Sequence, residues 1–161
     1  KREYIALERT NVVEIANDVF NSLDLKAKAR AITLKFNKAY DRPIWVLADK
    51  VKIGQVISNL VVNSINYGRE NGGETEVRFY DMDENILIEI ADNGIGISSK
   101  HLSRLFERFY RIDKSRARHA GGSGLGLAIV KHIVEAHKQT INVRSTENVG
   151  STFSFTLKKA R

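Results

Sequence analysis

Four amide side chains stand in a row in the middle of this chain. Gln55, Asn59, Asn63 and Asn66 are separated by four, four and three residues, so on a helix they share one face. Ile53, Val56, Ile57, Leu60, Val61 and Ser64 make an apolar stripe on the same segment. Asparagine is a poor helix former and needs partners where it is buried. The amides are therefore either a solvated outer face or a face turned toward something polar. An amide oxygen is a hard ligand of the kind Mg2+ accepts. A second group follows at Asp92-Asn93-Gly94-Ile95-Gly96-Ile97. Its two glycines allow either positive φ or a close approach of the backbone to a ligand. Asp92, just after an apolar strand, is costly if left unpaired. The third group is Gly122-Ser123-Gly124-Leu125-Gly126-Leu127. No Gly-Lys-Ser/Thr follows, so it is not a P-loop, and the segment before it is basic rather than a strand, against a dinucleotide fingerprint. It opens a helix, whose free N–H groups and dipole favour an anion.

The elements that position these groups are legible from periodicity. Val12, Ile15, Ala16, Val19, Phe20 and Leu23 recur at helical spacing and predict a helix from about Val12 to Lys28, capped by Thr10 or Asn11. Strands are expected over Ala31–Phe36 and from Pro43 to Leu47. Asp49 should cap a helix over Lys50–Tyr67, ended by Gly68. A hairpin follows, with Val77 and Phe79 on one strand, Asp81 to Asn85 as its turn, and Ile86, Ile88 and Ile90 on the other. Leu102, Leu105 and Phe106 suggest a helical middle within residues 98–120. The third long helix runs to about His137, and Thr140–Ser145 with Ser151–Leu157 form a last hairpin. The first ten residues read as the end of a preceding element or a short edge strand. This order implies an α+β fold, a two-layer sandwich with one mixed sheet and three helices on one face.

The 161 residues suit one domain. Apolar runs reach about four residues, far short of the roughly 20 that cross a bilayer. The charged start leads into no apolar segment of a signal peptide. There is no cysteine, hence no disulfide or thiolate zinc site. The net charge is +7. Most of it lies in residues 98–120, where Lys100, Arg104, Arg108, Arg111, Lys114, Arg116 and Arg118 face only Glu107 and Asp113. One basic stretch beside a glycine-rich turn suits a phosphate ligand better than a nucleic-acid face, and no nucleic-acid partner is expected.

In this order the motifs resemble those of the ATP-binding catalytic domain of bacterial sensor histidine kinases, of the phosphate-regulon type. That domain belongs to the superfamily shared with Hsp90, gyrase and MutL, whose architecture is the Bergerat fold. Asn59 to Tyr67 is similar to the N box, Asp92 to Ile97 to the G1 box, Leu105 to Arg111 to the F box, and Gly122 to Leu127 to the G2 box. The resemblance implies ATP and Mg2+ as cofactors. It implies that Asn63 coordinates the metal, that Asn59 supports it, and that Tyr67 packs on adenine. Asp92 would accept from the adenine amino group, with Gly94 and Gly96 passing close to the base. Ile97, Phe106 and Tyr110 would belong to the same nucleotide site. Arg108 and Arg111 would reach the phosphates or the partner domain. The amides from Gly124 to Leu127 would hold phosphates, with Gly122 and Ser123 completing that turn, and residues 98–121 would form a mobile ATP lid. The family usually carries Lys or Arg where this chain has Asn66, and that missing charge puts the phosphate contact there in question. Ser123 replaces a commoner threonine and keeps the hydroxyl.

The resemblance further implies a cytoplasmic, monomeric catalytic domain over residues 9–161, preceded at residues 1–8 by the remnant of a linker. Its partners would be the dimerisation helices that carry the phosphorylated histidine and, through the whole membrane-anchored kinase, a response regulator. His101, His119, His132 and His137 sit in no acceptor motif and read as ordinary surface or packing residues. The chain should bind Mg·ATP, hydrolyse it slowly and not phosphorylate itself. A hydrolase of the Hsp90, gyrase and MutL branch is disfavoured because Asn59 stands where those enzymes have a glutamate. A scaffold that merely binds nucleotide is the remaining alternative.

Overall fold

The computed structural model describes residues 4–110, 112 and 126–161. Strand β1 (Glu8–Asn11) leads directly into helix α1 (Val12–Ala29). Asn11 is the cap: its Oδ1 accepts the N–H groups of Val13 and Ile44, each at 3.1 Å. The periodic residues Val12, Ile15, Ala16 and Val19 are all buried. Strands β2 (Ile32–Phe36) and β3 (Trp45–Ala48) follow, and then helix α2 (Lys50–Asn66). Strand β4 (Gly73–Met82) turns through Asp83 and Glu84 into β5 (Asn85–Asp92). A single helical turn, α3 (Ser99–Leu102), comes next; α4 (Gly126–Ala136), β6 (Ile141–Thr146) and β7 (Gly150–Lys158) complete the chain.

Five strands form one sheet in the order β2-β4-β5-β7-β6. The β2–β4 pair is parallel and the other three pairs are antiparallel, so the sheet is mixed. Its inner face presents Val77, Phe79, Ile86, Ile88, Ile90, Phe153, Phe155 and Leu157 to the three long helices. Alternation of these side chains along each strand is what buries one face of a sheet.

Two expectations need correction. The sequence predicts one sheet, but β1 and β3 pair with each other as a separate two-stranded unit. Short apolar strands carry no sign of which edge they will join. The expected helix through Leu102, Leu105 and Phe106 stops at Leu102. Beyond it the N–H groups of Arg104, Glu107 and Tyr110 bond the carbonyls of His101, Arg104 and Glu107. Bonds three residues apart close tight turns instead of extending an α-helix. Leu105 is still buried and Phe106 packs edge-on against Phe153, so the apolar spacing serves the core through turns.

The outer face of the sheet carries an ion network. Lys35 meets Glu74 and Glu76, and Arg78 meets Glu76 at 2.7 Å. Glu89, only 5% exposed, accepts from Arg78 at 3.2 Å and from Arg144 at 3.1 Å. Arg144 sits on β6 and reaches across β7, where Thr152 and Ser154 stand on the register between them. Glu89→Ala should lower stability by about 2 kcal/mol by removing the shared partner of two guanidinium groups. The loss is smaller than for a dry ion pair because Arg144 is mostly exposed. Urea unfolding should show it, with nucleotide affinity unchanged.

Candidate nucleotide-binding site

The helices that bear the motif residues are fastened to each other and to the sheet. Ser64 and Thr75, both buried, bond through their hydroxyls at 2.5 Å and tie α2 to β4. The amide row is graded along α2. Gln55 is exposed, Asn59 and Asn63 are half-buried, and Asn66 is buried. Asn59 donates from Nδ2 to the carbonyl of Gly126 at 3.3 Å, the first residue of α4. Asn63, one turn further on, forms no side-chain hydrogen bond among the described residues. Its amide is thus available to a ligand beside the α4 start.

Asp92 closes β5 and is half-buried. Burial pushes its pKa up to about 6, against the backbone N–H groups of Gly94 and Ser151, which pull it down. Gly94 donates to Asp92 Oδ1 at 2.9 Å. The two glycines of this loop answer the question their spacing left open. A Cβ on Gly94 would lie 2.1 Å from the Tyr67 carbonyl oxygen. Gly96 has φ of +71°, and a Cβ there would lie 2.1 Å from the Thr146 carbonyl oxygen. The close approach is therefore between backbone segments: the loop is wedged between the end of α2 and the β6–β7 turn. Ile95 donates to the Tyr67 carbonyl at 3.3 Å and accepts from Asn148 at 2.7 Å. Ile97 donates to Ser145 Oγ at 2.7 Å, while its side chain packs on the core. No sequence motif marks Ser145, Asn148 or Gly150 for this role. The signal was faint: a Gly in a hairpin turn, here at φ +146°.

The other expected site residues fall in two groups. Tyr67 caps α2 and is half-buried beside Asp92 through its carbonyl contact with Ile95. Leu127 packs against the core. Phe106 turns toward Phe153, a core contact instead of an open wall. Tyr110 hydrogen-bonds His101 through its hydroxyl and lies under the Arg104 guanidinium, 4.5 Å from the ring centroid. Arg108 is exposed, with its guanidinium 5.6 Å from the centroid of Phe109, itself 63% exposed. Arg111, Gly122, Ser123, Gly124 and Leu125 lie outside the described residues, as do residues 113–121 of the expected lid, His119 among them.

Among the described residues no group of three or more His, Asp or Glu side chains converges as a metal cage. Asn63 could offer one amide oxygen to a divalent ion, far short of an all-protein cage. That arrangement suits Mg2+, which keeps several waters and prefers substrate phosphates to an all-protein cage.

The sequence profile described as "Histidine kinase-, DNA gyrase B-, and HSP90-like ATPase" matches residues 48–161, more than half of the chain. The chain belongs to this family. Relatives of the same ATPase family narrow the likeness to its kinase branch. The sensor histidine kinase WalK of Bacillus subtilis is 43% identical over 118 residues, 73% of this chain and 19% of WalK. The phosphate regulon sensor protein PhoR of Pseudomonas aeruginosa is 42% identical over 111 residues, 69% of this chain and 25% of PhoR. The chain thus spans about a fifth to a quarter of these two relatives. The nucleotide-free catalytic domain of histidine kinase ThkA superposes with a TM-score of 0.82 at 26% identity, covering 96% of each chain. ThkA has also been solved in complex with the response regulator TrrA; that chain superposes with a TM-score of 0.79 at 25% identity, covering 97% of this chain and 42% of ThkA. Among the described residues no helix is long and apolar enough to cross a membrane.

Proposed function

We propose that this chain binds Mg·ATP and is the catalytic domain of a sensor histidine kinase, passing the γ-phosphoryl group to a histidine on a separate helical domain of the same kinase. One observation supports this above the others. The Asn63 amide, with no side-chain hydrogen bond among the described residues, stands one turn beyond Asn59, which bonds the α4 start, on the helix whose end contacts the Asp92 loop. The Asn63 end suits a metal and phosphates, the Asp92 end an adenine amino group. Asn63 would hold Mg2+, and the ion would supply charge neutralisation at the phosphates. The chain's own residues orient. Asn63 offers an oxygen, Asp92 an acceptor, and the first N–H groups of α4 a positive dipole end. Attack by an imidazole nitrogen forms an N–P bond, breaks the bond from phosphorus to the bridging oxygen, and releases ADP and the imidazole proton. This needs positioning and charge neutralisation more than a strong base. The basic residues 98–120 would face the tetra-anionic ligand.

Hydrolysis by the gyrase and Hsp90 route is the weaker reading. Asn59 cannot act as a general base, and its amide is already occupied by the Gly126 carbonyl. The acceptor histidine would be supplied from outside this chain. His137, for example, is buried with both ring nitrogens bonded to backbone.

The test pairs this chain with a separate acceptor-helix fragment and labelled ATP. Acid-labile, base-stable label on the helices is the expected result; release of inorganic phosphate alone would favour the hydrolase. Calorimetry with and without Mg2+ isolates the metal. Asn63→Ala should weaken binding about tenfold in Mg2+, equivalent to ~1.4 kcal/mol, and leave metal-free binding unchanged. Equal loss in both conditions would argue against Asn63 as the ligand.

A further inference from the structure

The far end of the α2–α4 pair holds a second junction that the nucleotide site does not use. Asp49, 9% exposed, caps α2 by accepting the Lys52 N–H at Oδ1, 3.1 Å away. Its other oxygen, Oδ2, accepts the Ala6 N–H at 3.0 Å, from the segment that leads into β1. Its own N–H donates to Nε2 of His137 at 3.1 Å, just beyond α4. The Nδ1 of His137 lies 2.9 Å from the Ile133 carbonyl, which can only accept, so the proton of the neutral ring sits on Nδ1. Burial alone would raise the Asp49 pKa. The N–H groups of Ala6 and Lys52, then the charge of Lys52, outweigh it and hold the carboxyl below its usual range. Both oxygens are therefore free to accept at neutral pH.

This junction and the Asn59–Gly126 bond close a frame. From Asp49 to Asn59 is ten residues of α2, roughly 15 Å; from Gly126 to His137 is eleven residues of α4, roughly 16 Å. Two antiparallel helical stretches of nearly matched length, the seventeen-residue α2 continuing beyond its pin, are thus held at two points. One pin is at the proposed phosphate cradle. The other includes the chain segment entering the domain.

We infer that Asp49 is a positioning residue that couples the entering segment at Ala6 to the α4 start through His137 and this helix frame. The inference rests on the proposed nucleotide site. Movement of the entering segment is then felt where phosphates bind, and nucleotide binding must tighten the Ala6 contact in return, because coupling is reciprocal.

Two substitutions separate positioning from stability. Asn caps a helix as well as Asp does, so Asp49→Asn keeps the Lys52 bond. It then turns an NH2 group on the Ala6 N–H, donor against donor, and rotating the amide only moves the fault to Lys52. At His137, Gln places an acceptor where Nε2 stands, whereas Asn reaches only the Nδ1 position. The measurement is amide exchange at Ala6 by NMR on this chain, with and without Mg2+ and a non-hydrolysable ATP analogue, beside the analogue's dissociation constant. Nucleotide should slow Ala6 exchange about fivefold, the low end of ordinary coupling factors. Asp49→Asn should abolish that slowing and weaken binding by the same factor. His137→Gln should behave as the parent and His137→Asn as Asp49→Asn. Nucleotide that binds tightly without changing Ala6 exchange, or His137→Gln and His137→Asn variants of equal affinity, would overturn the coupling alone. No binding to the unsubstituted chain would overturn the functional reading and the coupling with it.

Discussion

Asp92→Asn should weaken ATP binding about 100-fold while leaving the chain folded and, above neutral pH, more stable than the parent. The carboxylate is the proposed acceptor for the adenine amino group. An amide there loses a charge-assisted hydrogen bond or turns a donor on a donor, a loss of about 2–3 kcal/mol. Stability moves the other way. The pKa of Asp92 in the folded chain is about 6, above its ordinary 3.8, because burial disfavours the charged form. The folded state therefore holds more protons than the unfolded one between these values, so stability from this group falls as pH rises from 4 to 6. Above pH 6 the whole cost is present, on the order of 2 kcal/mol after allowing for partial solvent access. Asparagine removes it. The gain in melting temperature from Asp92→Asn should be full at pH 8 and shrink toward pH 4. ATP affinity of the parent should fall as pH drops through 6, where Asp92 protonates. A variant with unchanged ATP affinity would remove Asp92 from adenine recognition.

Gly94→Ala should cost about 3 kcal/mol of stability, read as a fall of roughly 9 °C in melting temperature. The added methyl would lie 2.1 Å from the Tyr67 carbonyl oxygen and 2.9 Å from the Gly68 Cα, both backbone atoms. No side chain can swing away, so the end of α2 and the Asp92 loop must separate. Two contacts suffer together: the Ile95 N–H to Tyr67 carbonyl bond, and the Gly94 N–H to Asp92 bond. ATP affinity should fall with stability, because Asp92 and Tyr67 stand on opposite sides of that seam. Gly126→Ala is the contrast. Among the described residues its Cβ would meet only Asn59 Nδ2, at 4.0 Å, and should leave stability almost unchanged. An alanine at position 94 as stable as the parent would show that the loop is not wedged as described.

How the same residues looked in the sequence explains what each level decided. The amide row and the Asp92 loop were legible because their spacing is local. Periods of three and four put Asn59 and Asn63 on one helix face whatever surrounds it. The inner faces of β4, β5 and β7 were legible for the same reason, through alternation. Phe106 shows the limit: it sits among site motifs, yet its ring went to Phe153, because an apolar ring follows the nearest core.

By residue type and spacing the chain determined its elements, its α+β class and which motif side chains share a face. Tertiary structure alone decided who meets whom at long range. It paired β1 with β3 apart from the main sheet, set Asn148 and Ser145 against the Asp92 loop, and joined Asp49 to His137 across 88 residues. The reason is physical. A lone hydrogen-bonding group has many chemically equal partners in the chain, and only the packing of the apolar faces selects which of them comes within 3 Å.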